Sequence, residues 1–511
     1  MSPLPDRVRD IDRPLAGILV LQAAIVAAMT AAPEEFLVKK ITDDSFYFYE
    51  TARHMAAGDG MTFDGIHPTN GMQVIWVLIL TPIYWLFDGL WLPVRVSIVI
   101  QGIAALVATG LFYDALRRLF DRSVAMVATV VWVFNPFVVF MYLGGHESSL
   151  NFLFLTGVLW LLTTRTRDER SLAVIGLVLG LSMMARLDNV LFVGIVSGAL
   201  LGRRVLDTPR RFLTFSVSAG VIPAAYALYN FSTYGHLVPV SGSVLSTAST
   251  EVIVLYVVGC GVLAVVLAFL TTGVAPSSPN RAVFDTPTIV GLFGLCGVSH
   301  LTYYLLLHRT FRSWYFAMEA IAGALVGAAV LSVLLSLSTA RVPRARPQYI
   351  AVALVVLLLG SFTVLGAATQ LDPDQDQLGA LHYDQARYLS NNVACDAVIG
   401  SGNAGILGYF SERSVVELNG LANSYEFVER YQGNHSKYIR EAHPDFLVDY
   451  RPHVEHETLN ETGYTRIRTI SRVTEVQSLL SPSTLVSPGQ RRFVHEVWMA
   501  PDAQLVSDPS C

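Results

Sequence analysis

Residues 94–116 read VRVSIVIQGIAALVATGLFYDAL, and Arg117, Arg118 and Arg122 follow almost at once. As a helix rising 1.5 Å per residue, such a run crosses a hydrocarbon core of roughly 30 Å. The arginines that close it mark the cytoplasmic side. Working outward, further apolar runs fall at 14–33, 123–142, 149–164, 171–185, 189–202, 212–229, 252–272, 287–307, 316–338 and 348–369. This predicts an α-helical polytopic membrane protein with about 11 transmembrane helices. Composition agrees: 15% of residues are charged, against about 25% in a soluble domain, and mean hydropathy is +0.48.

With these spans the arginines alternate. Arg7/Arg9/Arg13, Arg117/Arg118/Arg122, Arg165/Arg167/Arg170, Arg203/Arg204/Arg210/Arg211, Arg281 and Arg341/Arg344/Arg346 share one face. That face is read as cytoplasmic, with the N-terminus on it. Residues 73–90 are apolar enough to span, but a span there would put every later arginine loop outside. They are expected instead to lie along the outer interface, anchored by Trp76, Tyr84 and Trp85. The opening run is long and ends in Pro33-Glu34-Glu35, a poor cleavage site, so it reads as an uncleaved first helix. Residues 1–370 form the membrane domain, with interfacial helices in a first outer loop at 34–93.

Residues 371–511 have ordinary polar composition and are expected to form an extracytoplasmic C-terminal α/β domain. Helices at 381–393, 404–410 and 424–441 alternate with strands at 397–400, 414–418 and 445–450. Ser401-Gly402-Asn403-Ala404-Gly405 lacks a dinucleotide fingerprint. Acidic residues outnumber basic ones in this tail, so nucleic acid is not an expected partner. The four cysteines form no CxxC or Cys/His cluster, and no zinc or redox site is expected. Export would allow Cys395 and Cys511 to pair, but the connectivity stays open. Asn230, Asn434 and Asn460 each begin an N-x-S/T sequon.

On the outer face the first loop begins Ile41-Thr42-Asp43-Asp44-Ser45-Phe46-Tyr47-Phe48-Tyr49. Adjacent carboxylates at the lip of a membrane helix are costly to desolvate unless they bind a cation, a proton or a donor. An amphipathic aromatic segment follows, then Gly58-Asp59-Gly60 and the turn-rich Gly65-Ile66-His67-Pro68-Thr69-Asn70-Gly71. The run TDDSFYFYETARHMAAGDGMTFDGIHPTNGMQVIW resembles the first loop of the GT-C superfamily of polyprenyl-phosphate-sugar-dependent glycosyltransferases. Its arabinofuranosyl- and mannosyltransferase branches are the nearest comparison.

That resemblance implies roles for several further segments. Gly144-Gly145-His146-Glu147 offers Glu147 as a second carboxylate, with His146 beside it. Arg186 and Asp188 read either as an intramembrane ion pair or as the family's (T/A)RxD turn. Tyr234 and His236, in a polar loop, suit sugar hydroxyls. Arg309 and Arg312 stand on a face otherwise poor in arginine, and their planar forks suit phosphate. Trp314 and Tyr315 beside them suit the membrane interface.

The implied enzyme is a glycosyltransferase (hexosyl- or pentosyltransferase) that moves a sugar from a polyprenyl-phosphate donor to a glycan, lipid or protein acceptor outside a cell membrane. Asp43, Asp44 and Glu147 would be its catalytic residues. No cofactor is required, although a divalent Mg or Mn held by Asp44 and Glu147 is compatible with the superfamily. A transporter or flippase is the main rival, since buried charges also line permeation paths. The charges gather at one face and no inverted repeat is evident, which favours surface chemistry. A non-catalytic cell-surface scaffold is the other alternative, and it would tolerate loss of Asp43 and Asp44.

Overall fold

The computed structural model describes residues 12–247, 250–270, 283–308, 312–339, 373–450, 456–475 and 490–506. The chain opens with α1 (Arg13–Thr30), which has Pro14 in its first turn, where the missing N–H costs nothing. The first outer loop holds α2 (Glu34–Lys40), α3 (Asp43–Ala57) and α4 (Val74–Leu86). Next come α5 (Trp91–Leu119), α6 (Arg122–Val133), α7 (Pro136–Leu143), α8 (Ser148–Thr164) and α9 (Glu169–Ala185). These lead to α10 (Val190–Gly202), α11 (Pro209–Tyr234), α12 (Val240–Leu245), α13 (Thr250–Leu270), α14 (Thr286–Leu307) and α15 (Ala317–Thr339).

Among the described residues, five helices are long and apolar enough to cross a membrane: α1, α5, α11, α14 and α15. The segment expected at 123–142 is not one straight span. It is α6 and α7 bent by 60°, and counting that pair makes six. Asn135 causes the break, because its side chain caps the Phe137 N–H and Pro136 opens α7. The expected span at 348–369 lies outside the described residues, as does Arg309.

Helix α4 has 13 residues, about 20 Å at 1.5 Å per residue, the same length as α10. Of the three aromatic anchors expected at 73–90, only one is largely exposed. Trp76 is fully buried and donates to the Gly145 carbonyl at 3.1 Å. The Tyr84 hydroxyl meets that of Tyr409 at 3.0 Å. Trp85 alone of the three is largely exposed.

The tail is α/β. It contains α16 (Pro373–Asn392), β1 (Val398–Ser401), α17 (Gly405–Ser411), β2 (Ser414–Glu417), α18 (Tyr425–Tyr431), α19 (His435–Ala442) and β3 (Phe446–Tyr450). After these come α20 (His456–Glu461), β4 (Thr465–Glu475) and β5 (Gln490–Met499). The sheet order is β2-β1-β3-β5-β4. Strand β1 runs parallel to β2 and β3, while β5 is antiparallel to β3 and β4. The single helix expected over 424–441 is two, parted at Gly433 with φ +71°, a conformation glycine adopts freely.

The tail packs on the first outer loop through aromatic rings. Phe46 lies 5.1 Å from Phe410, and Trp91 lies 4.8 Å from Phe410. The Tyr409 hydroxyl donates to the Leu90 carbonyl at 2.5 Å. The sequon residue Asn230 is fully buried on α11, whereas Asn434 and Asn460 are exposed. Cys395 is disulfide-bonded, and Cys511 lies outside the described residues.

Candidate active site

Asp43 and Asp44 form the first turn of α3, where the helix dipole favours negative charge. The α7–α8 corner is drawn against this turn. The Gly144 carbonyl accepts from the Thr42 N–H at 3.2 Å and from Ser45 Oγ at 2.6 Å. Gly145 has φ +94°, and a Cβ there would press on Ser45 and Ile41. Glycine at 145 thus lets the corner carrying His146 and Glu147 close on the residues flanking the acidic pair, Ile41 and Ser45.

The two aspartates differ. Asp43 Oδ1 accepts from the Ile406 N–H at 2.8 Å, so the tail engages it. Asp44 is half-buried, and among the described residues none hydrogen-bonds its carboxylate. Burial pushes its pKa up to about 6; the nearby Arg312 guanidinium pulls down and Asp43 pushes up.

Glu147 belongs to a buried charge network. Arg186 Nη1 donates to Glu147 Oε1 at 2.6 Å, while its Nε and Nη2 reach Asp188 at 3.2 and 2.9 Å. The guanidinium lies 4.8 Å from the ring centroid of Tyr315 and also donates to the Tyr304 hydroxyl at 3.0 Å. Tyr304 in turn hydrogen-bonds Asp188. His300 links Asp188, at 3.2 Å, to Glu319, at 2.8 Å. Burial raises the Glu147 pKa against the pull of Arg186. Burial also disfavours the Asp188 carboxylate, but Arg186 and His300 overcome that and hold it low. His300, Tyr304 and Glu319 were not singled out from the sequence. His300 and Glu319 are ionisable residues inside apolar runs, and that is the signal that marks them.

The remaining expected site residues separate into two groups. Tyr315 is buried rather than interfacial and stacks on Tyr304 at 5.0 Å. Trp314 packs 5.3 Å from the ring of His146 and 5.9 Å from the Arg312 guanidinium. His146 is fully buried, neither ring nitrogen has a partner among the described residues, and burial, helped by Arg186, lowers its pKa to about 3. It is a neutral wedge behind Trp314. Tyr234 and His236 do not join this cluster. The Tyr234 hydroxyl donates to the Thr69 carbonyl at 3.0 Å, and His236 stacks on Tyr425 of the tail at 3.8 Å. Both tie outer segments together.

Beside the network opens a cavity of about 120 Å³, walled by Met72, Arg186, Asp188, Tyr226, Tyr304 and His308 among others. It has room for several waters or a small polar group. Among the described residues no three His, Cys, Asp or Glu side chains gather as metal ligands. Of the two carboxylates expected to share an ion, Glu147 already serves Arg186.

Residues 77–227 match the family described as dolichyl-phosphate-mannose-protein mannosyltransferase. Residues 370–494 match a domain family of unknown function, DUF8728. Among solved structures the chain is similar to ArnT from Cupriavidus metallidurans bound to undecaprenyl phosphate, with TM-score 0.51 and 12% identity over 94% of this chain and 98% of that one. The Archaeoglobus fulgidus oligosaccharyltransferase in its apo form gives TM-score 0.47 and 14% identity over 85% and 69%. No curated protein sequence matches significantly. The likeness to ArnT is one of fold, and with the family match it bears out the resemblance read from the first outer loop.

Proposed function

We propose, from a GT-C-type fold whose outer acidic turn is built as described, that the chain transfers a sugar from a polyprenyl-phosphate carrier to an acceptor at the outer membrane face. One observation carries the assignment. The other acids of the site are engaged, Asp43 by Ile406 and Glu147 and Asp188 by Arg186. Asp44 stays unengaged among the described residues and faces the charge of Arg312.

In this reading the acceptor hydroxyl gives its proton to Asp44 as its oxygen bonds the anomeric carbon. The bond from that carbon to the carrier phosphate breaks, and its electron pair leaves on the phosphate. Arg312, with Arg309, stabilises the charge that develops there. Arg186 and Asp188 of the buried charge frame line the cavity. The donor sugar is a hexose or pentose, and the acceptor a glycan, lipid or protein. If a divalent ion takes part, Asp44 is its first ligand in this chain. The full membrane domain has about eleven spans, with a cytoplasmic N-terminus and the tail outside.

Deleting the gene and profiling polyprenyl-linked sugars and surface glycans tests this reading. One lipid-linked sugar should accumulate and one glycan should lose a residue. Unchanged pools and glycans would sink it.

A further inference from the structure

The loop after strand β1, together with the start of α17, faces the first turn of α3. In open α/β sheets the crevice beyond the carboxyl ends of parallel strands is where ligands bind. Here a segment of the same chain fills that place. Tyr47, one turn on from Asp43 and on the same helix face, accepts from the Ala404 N–H at 2.9 Å. Asp43 accepts from the Ile406 N–H, and any side chain at Gly405 would collide with the Asp43 carbonyl. The tail holds this turn as a binding domain holds a ligand.

A histidine pair extends the grip. His382 on α16 places Nδ1 3.7 Å from Asp43 Oδ1, and its Nε2 lies 3.0 Å from His495 Nε2 on β5. Both rings are buried. Two ring nitrogens at that distance share one proton, one donating and one accepting. When His495 Nε2 donates and His382 Nε2 accepts, a neutral His382 carries its hydrogen on Nδ1, facing Asp43; the reverse arrangement would aim a lone pair at the carboxylate. In that arrangement His382 turns an N–H toward Asp43 at ion-pair distance, short of a hydrogen bond, and His495 fixes the ring behind it.

We infer that His382 is a positioning residue for the reaction. Acting through Asp43, it fixes the first turn of α3 and so aims the neighbouring Asp44. This gives the 370–494 domain a task inside the active site, and it rests on the transferase reading above. Asp43 is then the docking carboxylate and Asp44 the reacting one.

The test uses the purified full-length protein in nanodiscs, with two readouts: steady-state transfer from a polyprenyl-phosphate sugar, and hydrogen–deuterium exchange over residues 41–50 and 402–411. His382→Ala should lower kcat about tenfold or more, leave the donor KM unchanged, and speed exchange in those two segments only. His382→Asn, which keeps a donor near Nδ1, should restore most of kcat. If His382→Ala fails to fold, Tyr47→Phe removes the acceptor for Ala404 and should loosen the same segments. Unchanged kcat in a loosened His382→Ala protein would overturn the inference, as would unchanged exchange. A wild type inactive on every donor would sink the transferase reading. The exchange pattern alone would then decide the docking role of His382.

Discussion

Arg186 and Glu147, 39 positions apart, meet at 2.6 Å with both side chains almost wholly buried. The same guanidinium holds Asp188, which His300 also contacts at 3.2 Å. Removing one partner of a buried ion pair leaves an uncompensated charge and costs roughly 3–5 kcal/mol. Arg186→Met should therefore lower the thermal unfolding midpoint in detergent sharply, and Glu147→Gln should do so less, because Asp188 still pairs with the arginine. Midpoints equal to wild type in both variants would show that the network is not structural.

Asp44 should show the opposite behaviour. Its pKa is raised from 3.8 to about 6 by burial. A carboxyl raised on folding favours the folded state fully below its unfolded pKa, and that contribution is lost as pH rises through the folded pKa. Asp44→Asn escapes this loss. At pH 7.5 the variant should unfold at a higher temperature than wild type, and the gap should close below about pH 4. Gain of stability with loss of function marks a site residue, and an Asn variant less stable at pH 7.5 would refute the assigned environment.

In the proposed reaction Arg312 acts on both substrate and base. Arg312→Ala should raise the donor KM about tenfold or more, because a charge-assisted bond to phosphate is lost. Lysine should restore part of this, since it brings charge without the fork. The same substitution removes the group that draws Asp44 down, so the acid inflection in the rate profile should move to higher pH. A donor KM and inflection both unchanged would place the phosphate elsewhere.

The proposed topology fixes sidedness. Reporters fused in the 117–122 loop should be cytoplasmic and those fused in residues 371–511 external. Glycosylation in a eukaryotic host should occur at the exposed Asn434 and Asn460 and never at the buried Asn230. A cytoplasmic tail would separate it from the assigned site.

Much of the fold was legible because a membrane imposes its own period. A run such as 94–116 admits little except a helix, and arginine closes it. The bend at Asn135 was harder to read, because it needs a cap and a proline inside an otherwise apolar run. In the tail, β4 and β5 escaped notice because β4 carries Arg466, Arg468 and Arg472 and shows no clean apolar alternation. At the site, Asp44, Glu147, Arg186 and Asp188 stood out as charges where charge is costly. The division of labour between Asp43 and Asp44 was not readable, because it depends on a backbone N–H more than 360 residues away. Tyr234 and His236 were expected to meet sugar hydroxyls and Tyr315 the membrane interface. Only packing shows that the first two tie outer segments and the third lies beneath a guanidinium.

In the proposed reaction Asp44 takes the acceptor proton during glycosyl transfer from a polyprenyl-phosphate sugar. The most direct test of this is single-turnover transfer by purified Asp44→Asn protein in nanodiscs, beside wild type across pH 5–8. Wild-type kcat/KM should fall as pH drops through about 6, when the carboxylate takes up a proton. The Asn variant should be slower by about 10²–10⁴-fold with that inflection gone, while remaining folded and inserted. Transfer by the Asn variant at the wild-type rate, with the acid limb intact, would contradict the account.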